Sequence, residues 1–204
     1  MKFEKRRYQQ TNRAAAVVKT QRAVMKAFVD LWRQEDLDKV TLQAIADQSG
    51  VTVQTIIRHF GSKEGLLDKV IADRASGIED ARQLDADADL RTQIDTLVAH
   101  YDADGEAVLR TLAVIHTSPA AAKVVAHGQA FHRQWCHELL ALYSGATVDE
   151  VTQLELDAVV AATDLLVWKL LRRDLERPAD AVAATMTRLV TGIINEVSNE
   201  RDEP

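Results

Sequence analysis

The sequence predicts an all-α fold, and three observations support this prediction. The 204 residues include only eight glycines and three prolines, so few positions interrupt regular helices. Apolar residues recur at spacings of three and four, which is the period of a helix with one buried face. Runs that alternate β-branched and polar residues, the pattern typical of strands, are absent. We expect about nine helices, arranged as an N-terminal three-helix domain with a helix-turn-helix and a larger helical domain after it.

The composition is that of a soluble globular protein, with 47% hydrophobic and 27% charged residues. No apolar run approaches the ~20 residues that a membrane span needs, and the charged N-terminus lacks the apolar segment of a signal peptide. Cys136 is the single cysteine, so an intramolecular disulfide cannot form. We therefore expect a cytoplasmic protein with no membrane partner.

The formal charge is divided unevenly along the chain. Residues 1–75 contain 14 Lys and Arg against 9 Asp and Glu, a charge of +5, whereas residues 76–204 contain 11 against 22, a charge of −11. A polyanion such as DNA would be attracted to the first part and repelled by the second, which orients an encounter as well as strengthening it.

A long first helix is predicted from residue 14 to residue 34. Before it, the polar and basic residues 1–13 are either a solvated terminus or an arm that follows DNA phosphates or enters the minor groove, and the sequence leaves both open. The buried stripe of the helix is expected to consist of Val17, Val24, Phe28, Leu31 and Trp32.

Residues 41–67, TLQAIADQSGVTVQTIIRHFGSKEGLL, have the pattern of a helix-turn-helix. Thr41 is expected to cap the first helix of the pair, because its hydroxyl can accept from an unpaired amide of the first turn. Ser49-Gly50 supplies the break, and a second helix begins at Thr52. Gly61 ends this second helix, and Ser62 caps the next one. In such motifs the second helix enters the major groove of DNA.

The rest of the chain is predicted to be helical. A connecting helix over residues 62–80 separates a domain of residues 1–61 from a domain of residues 81–204. In the latter we expect helices at 90–103, 105–117, 119–143, 149–175 and 178–198, within a few residues. The last two are apolar on more than one side, so they are either interior to one fold or half of a four-helix interface between two chains.

The helix-turn-helix resembles that of the TetR-type (TetR/AcrR-like) transcriptional regulators. The shared features are the pair Ile45-Ala46, the turn Gly50-Val51, a threonine in the second helix, the closing His59-Phe60 and the opening of the next helix at residues 62–64. About the first 75 residues are similar, and VWKLLRRDLERP with the apolar helix after it is more weakly similar to the closing dimer helices of some members.

The resemblance implies a DNA-binding transcriptional regulator rather than an enzyme. Its N-terminal domain would bind a palindromic double-stranded operator as a homodimer, because the dimer and the palindrome share one symmetry axis. Its C-terminal domain would bind a small-molecule effector that releases the DNA, which is the behaviour of a repressor. No resident cofactor is implied.

The resemblance also assigns DNA contacts residue by residue. Hydroxyls and amides in the first helix of the motif and at the start of the second would contact phosphates or base edges. Gln54 would be able to pair with adenine, and Val53 to touch a thymine methyl. Two positions depart from the family pattern: Ile57 replaces an aromatic residue, and Asp36 replaces a glycine. The expected DNA-contacting residues are Thr41, Gln43, Thr52, Val53, Gln54, Thr55, Ile57, Arg58, His59 and Lys63.

The implied effector pocket lies among the middle helices, and an uncharged or weakly charged organic molecule is expected in it. For each candidate pocket residue, the alternative is that its side chain only packs in the core or lies on the surface. The aromatic and imidazole groups able to line the pocket are Tyr101, His116, Phe131, His132, Trp135 and Trp168.

Other functions are less well supported by the sequence. His132 and Cys136 lie four residues apart on one helical face, a spacing that suits zinc or copper, but His127 and His137 point elsewhere, so no metal site is predicted. A small-molecule or metal-binding enzyme is an alternative, although no phosphate loop, G-x-S-x-G or H-E-x-x-H motif occurs. A ligand-independent architectural DNA-binding protein is the other alternative, and the acidic second half of the chain argues against it.

Overall fold

The computed structural model describes the backbone of residues 2–202 and the side chains of residues 15–73 and 82–199. This part of the chain is all-α, as predicted, and none of its helices is both long and apolar enough to cross a membrane. The elements are α1 (Lys2–Trp32), α2 (Leu42–Ser49), α3 (Val53–Phe60), α4 (Lys63–Ala81), α5 (Leu90–Ala113), α6 (Pro119–Ser144), a 3-10 turn (Val148–Glu150), α7 (Gln153–Ala162), α8 (Leu165–Lys169), a π-helical turn (Leu170–Asp174) and α9 (Ala179–Asp202).

Two compact units divide the chain. Unit 1 comprises Met1–Arg74 and Arg110–Ala122, and unit 2 comprises Ala75–Leu109 and Lys123–Pro204. The second segment of unit 1 is therefore separated from the first by 35 residues of sequence that belong to unit 2. The domain limits given above from the sequence remain a prediction.

Helix α1 begins at Lys2, so the predicted start at residue 14 is wrong. Val24, Phe28 and Trp32 are buried as expected, whereas Val17 is 42% exposed. Residues 15–19 are all exposed, because the helix continues beyond the part that other residues cover, a limit that apolar spacing cannot reveal. The side chains of the predicted basic arm lie outside the described residues.

The C-terminal end of α1 is stabilised by residues from far along the chain. Arg110 Nη2 donates to the carbonyl oxygens of Trp32 at 3.1 Å and Arg33 at 2.7 Å, and Trp32 Nε1 donates to Thr111 Oγ1 at 3.0 Å. These bonds satisfy carbonyls that the end of a helix leaves unpaired. Asp36, which replaces a glycine of the TetR pattern, pairs with Lys39 at 2.7 Å, and that ammonium lowers the pKa of the Asp36 carboxyl.

Helix α5 is continuous from Leu90 to Ala113, so the predicted break near residue 104 is wrong. Gly105 does not end the helix; it allows α5 to approach the indole of Trp168. A Cβ placed on Gly105 would lie only 2.7 and 2.8 Å from two carbons of that ring. The glycine is thus required by packing between elements, which local sequence does not show.

The predicted helix over residues 149–175 is also wrong, because the chain is interrupted twice. Thr152 caps α7 by accepting from the amide of Glu155 at 3.3 Å, so α7 is separate from the preceding 3-10 turn. Asp164 then caps α8 through a bond from the amide of Leu166 at 2.7 Å. Two strong N-capping residues, one after the other along the chain, favour two separate helix starts over one long helix.

Trp168 is the largest fully buried side chain in the core of unit 2. Its Nε1 donates to Asp102 Oδ1 at 2.9 Å, and the same carboxylate accepts from Arg172 Nε at 3.1 Å. The indole is thereby fixed in position against α5, with its one polar atom satisfied. The fully buried apolar side chains of this unit also include Ile94, Leu97, Leu139, Leu140, Met186 and Val190.

The contact between Gly105 and Trp168 leads to a prediction about stability. Gly105→Ala should lower the free energy of unfolding by about 1–3 kcal/mol, because the added methyl collides with a rigid, fully buried ring. Gly128→Ala in α6 is the matched control: a methyl added there would meet no atom within 4 Å, so the better helix propensity of alanine should raise stability by up to about 1 kcal/mol. Urea denaturation followed by circular dichroism measures both changes, and the same sign for both would contradict this packing.

Candidate nucleic-acid interface and ligand pocket

The turn of the helix-turn-helix is formed as the sequence predicts. Thr41 caps α2 by accepting from the amide of Ala44 at 3.1 Å. Gly50 ends this helix with φ of 70°, in the left-handed region that favours glycine, and its amide donates to the carbonyl of Ala46. The backbone therefore reverses within a few residues and brings α3 directly after α2.

Helix α3 has an inner and an outer face. Ile56 is fully buried, and Val53 and Phe60, which lie three and four residues from it, are half-buried. Gln54 and Arg58 on the other side are exposed. The burial of one face thus fixes which side chains α3 presents outward.

Ile57 belongs to the outer face of α3. Its side chain is 40% exposed, whereas neighbouring Ile56 is fully buried, so two successive isoleucines have opposite environments. The sequence left open whether Ile57 faces the core or a partner. Its exposure makes it available for an apolar contact outside the chain.

The start of α3 is fixed by hydroxyl groups. Thr52 Oγ1 accepts from the amide of Thr55 at 3.1 Å and lies 3.0 Å from Thr55 Oγ1. Thr52 is exposed and Thr55 is half-buried. Both hydroxyls are thus held at the N-terminal end of α3, where helix amides and the helix dipole favour an anion such as a phosphate.

Three other predicted contacts have partners within the chain. The amide of exposed Gln43 donates to Asp47 Oδ1 at 2.8 Å. The half-buried ring of His59 makes an edge contact with Phe60, with 6.3 Å between centroids. Lys63 Nζ donates to the carbonyls of Leu37 at 3.1 Å and Asp38 at 3.3 Å. Lys63 therefore ties the start of α4 to the loop before α2, a structural role that the sequence did not indicate.

Five of the six predicted pocket residues belong to unit 2, and four of these five form a chain of ring contacts. Tyr101 lies 6.1 Å from Trp168 and 6.4 Å from His132 between ring centroids, and His132 stacks on Trp135 at 5.9 Å. These four rings are buried. His116, by contrast, is exposed and belongs to unit 1.

Arg82 is a residue of this region that no sequence pattern singles out. It is only 5% exposed, and its guanidinium lies over the rings of Trp135 at 4.4 Å and Phe131 at 5.1 Å. Its Nη2 lies 3.3 Å from His132 Nδ1, while its buried Nε has no hydrogen-bond partner among the described residues. The sequence places Arg82 in a polar joint, where an arginine is ordinarily solvated.

His132 joins Arg82 to a buried polar network. Burial and the nearby guanidinium lower the pKa of His132 to about 3, so its imidazole is neutral near pH 7. A neutral ring that accepts from Arg82 at Nδ1 carries its proton on Nε2, which lies 3.1 Å from Thr163 Oγ1. Thr163 in turn donates to the carbonyl of Val159 at 2.7 Å. His132 and Thr163 thus each accept one hydrogen bond and donate another, so the donor and acceptor roles in this network are mutually consistent.

Cys136 is attached to the same network. Its Sγ lies 3.5 Å from His132 Nε2 and 3.3 Å from Thr163 Oγ1, and burial raises the pKa of the thiol to about 11. A protonated thiol is a poor metal ligand. Among the described residues, no three His, Cys, Asp or Glu side chains are grouped so that they could hold a metal ion.

A pocket of about 400 Å³ opens beside Arg82 in unit 2. Two of the predicted ligand residues, Phe131 and Trp135, line it, whereas Tyr101, His132 and Trp168 do not. Its volume lies within the range of small-molecule sites. The remaining lining residues are Gln83, Leu84, Gln134 and Glu138.

Comparison with known proteins confirms the TetR resemblance. Residues 24–70 match the family model for bacterial regulatory proteins of the tetR family. A comparison with curated protein sequences gave no significant match.

Solved structures show that the similarity in fold extends beyond that segment. A TetR-family transcriptional regulator from Streptomyces coelicolor superposes with a TM-score of 0.66 at 17% identity, covering 90% of this chain and 83% of the other. A second TetR-family regulator from that organism gives 0.61 at 16%, covering 89% and 97%. A transcriptional regulator from Rhodococcus gives 0.64 at 13%, covering 86% and 96%. At these identities the likeness establishes the fold alone.

The buried state of His132 predicts how stability depends on pH. Because its pKa is about 3 in the folded chain and about 6.5 when unfolded, the unfolded chain binds a proton first as the pH falls, and stability is lost below pH 6.5. Between pH 7.5 and pH 5 the free energy of unfolding should fall by about 2 kcal/mol more in the wild type than in His132→Gln. The glutamine amide can accept from Arg82 and donate to Thr163, but it does not titrate. Urea denaturation at the two pH values measures the difference.

The control for this experiment is His127→Gln, which changes an exposed histidine of the same helix. It should show the wild-type dependence on pH. Equal losses in the wild type and in His132→Gln would mean that His132 is not held neutral by the fold.

Proposed function

We propose that this chain, which has the fold of the TetR-family regulators, is a transcriptional regulator that binds a palindromic DNA operator as a homodimer. The observation that carries the proposal is the outer face of α3, where Gln54, Ile57 and Arg58 are exposed next to a fully buried Ile56. In a helix-turn-helix this is the face that reads the major groove. Release by a small-molecule effector would make the protein a repressor.

The contacts to DNA are divided between bases and phosphates. Gln54 is suited to a bidentate pair with adenine and exposed Ile57 to a thymine methyl group. Val53, half-buried beside Ile56 at the start of α3, would touch a thymine methyl only with the exposed part of its side chain. Thr41, Gln43, Thr52, Thr55, Arg58, His59 and Lys63 are proposed for backbone or flanking contacts, which position the helix without reading sequence. Gln43 and Lys63 would have to exchange their present partners, Asp47 and the carbonyls of the α1–α2 loop, for DNA.

The proposed dimer interface is formed by α8, the π-helical turn that follows it, and α9. Leu166 and Leu170, one turn apart, are 59% and 49% exposed, and Leu189 of α9 is 46% exposed. Exposed Gly192, three residues after Leu189, has open space where a Cβ would be, so it leaves room for the close approach of another helix. Two helices from each chain would bury these leucines in a four-helix interface.

The proposed effector site is the pocket beside Arg82. Arg82 directly follows α4, and α4 begins at Lys63, three residues after α3 ends at Phe60. An effector that binds more tightly to the arrangement unable to hold DNA would shift the population towards it, and the difference between its two affinities sets the size of the response.

Selection of bound fragments from random-sequence DNA tests the proposed function. Two inverted half-sites with a fixed spacing are expected, because a two-fold dimer presents two copies of α3. Recovery of fragments without any shared sequence would contradict the proposal.

The outer face of α3 predicts a change in sequence specificity. Gln54→Ala should weaken binding to the selected operator by about 1–3 kcal/mol and relax the preference at one base position in each half-site. Gln153→Ala, which truncates an exposed glutamine of unit 2, is the control and should leave the affinity unchanged. Fluorescence anisotropy with operator variants gives both values, and an equal loss on operator and random DNA for Gln54→Ala would remove its base-reading role.

The exposed leucines predict the effect of a charge on dimerisation. Leu189→Glu should weaken the dimer by about 2–4 kcal/mol, because the carboxylate would be buried in the interface but solvated in the monomer. Val148→Glu in the 3-10 turn is the control, since Val148 is similarly exposed at 41% but lies outside α8 and α9. Light scattering across a dilution series measures the dissociation constant. A monomeric wild type, or an unchanged dimer in Leu189→Glu, would contradict this interface.

A further inference from the structure

The guanidinium of Arg82 is a buried charge for which the described residues supply no carboxylate partner. The side chain is 95% buried, and within this part of the chain it contacts two aromatic rings and the neutral imidazole of His132 but forms no ion pair. Removing a cation from water costs several kcal/mol unless an anion or a full set of hydrogen bonds compensates. The buried Nε has no acceptor among the described residues, so the compensation that they provide is incomplete.

Aromatic faces compensate only part of this cost. Trp135, at 4.4 Å, and Phe131, at 5.1 Å, each offer the negative face of a ring, a contact that contributes about 0.5–2 kcal/mol. His132 contributes one lone pair and no charge. A carboxylate would add both the missing charge and acceptors that match the planar fork of an arginine.

The other lining residues indicate what such an anion would be attached to. Phe131, Trp135 and Leu84 are the apolar residues of the lining. Trp135 is only 3% exposed, so a flat apolar group would pack mainly against half-buried Phe131 and Leu84. Glu138 and Gln134 are exposed, and the Gln134 amide donates to the Glu138 carboxylate at 2.7 Å. The negative charge of Glu138 disfavours a second anionic group on the ligand.

We infer that this pocket binds a small organic monocarboxylate, with its carboxylate on Arg82 and a flat apolar body against Phe131 and Leu84. The inference rests on the proposed function, because it names the chemical class of the effector. It narrows the uncharged or weakly charged molecule expected from the sequence to a carboxylate, because the sequence does not reveal that Arg82 is buried. The selectivity comes from charge, so the amide of the same acid is a poor ligand.

Isothermal titration calorimetry of the full chain without DNA tests the inference. The probes are benzoate and 2-naphthoate, each paired with its uncharged amide of nearly the same shape. One or both acids should bind with one site per chain, at least about ten-fold more tightly than the matched amide. Binding of neither acid, or equal binding of acid and amide, would overturn the inference.

Variants locate the charge that selects the acid. Arg82→Gln should weaken binding of the acid at least about ten-fold and change binding of the amide by less than about three-fold. Arg133→Gln is the matched control: Arg133 lies on the same helix as Phe131 and Trp135 but pairs with Asp157 and does not line the pocket, so its loss should change neither affinity. Unchanged acid binding in Arg82→Gln would overturn the assignment.

Glu138→Gln provides a test that does not disturb the buried arginine. Removing this negative charge from the lining should tighten binding of the acid a few-fold and leave binding of the amide unchanged. Weaker acid binding in this variant would contradict a site selective for anions. Because these titrations contain no DNA, their failure leaves operator recognition intact, and failure to select an operator leaves the ligand result intact.

Discussion

The burial of Ile56 is the constraint on which the recognition surface depends. An isolated helix of eight residues is unstable in water, so α3 exists because its apolar side is covered. Ile45 of α2 and Leu66 of α4 are also fully buried in the same unit. The helices before and after α3 therefore each bury one side in the core. Once Ile56 is inside, the helical period leaves Gln54 and Arg58 outside.

Unit 2 depends on a different kind of constraint, a buried polar network. Thr163 lies in the interruption between α7 and α8, and its hydroxyl meets His132, while its carbonyl accepts from the Tyr101 hydroxyl at 3.1 Å. A continuous helix would use that carbonyl in its own ladder. The interruption between α7 and α8, the neutral imidazole of His132 and the position of Arg82 are therefore parts of one hydrogen-bonded network. The guanidinium of Arg82 is positioned beside the pocket by His132 and two aromatic rings, which would suit the proposed selection of a ligand by charge.

The features that could be predicted from the sequence are those that depend on near neighbours. The caps at Thr41 and Thr52 involve residues three positions away, and the turn at Gly50 needs only the freedom of glycine to adopt a positive φ. The same local chemistry gave the start of α4, where Ser62 Oγ accepts from the amide of Gly65. The all-α fold and the helix-turn-helix follow from such local signals.

The features that could not be predicted depend on residues distant in the chain. Lys63 bonds a carbonyl 26 positions away, Arg82 meets His132 at 50 positions, and Arg110 meets Trp32 at 78. In the sequence Gly105 is typical of a residue that ends a helix, and only its contact with the indole of Trp168 explains why it is glycine. For the DNA-contacting residues, the structure shows which side chains are exposed, whereas their partners on DNA remain a prediction.

Dimethyl sulfate footprinting on a selected operator tests the central claim most directly. The reagent methylates guanine N7 in the major groove and adenine N3 in the minor groove, so one experiment distinguishes the two grooves. If α3 enters the major groove, guanine N7 will be protected within both half-sites, with their centres about one helical turn or a multiple of it apart. Protection confined to adenine N3, or no protection on a DNA that the protein binds, would contradict the account.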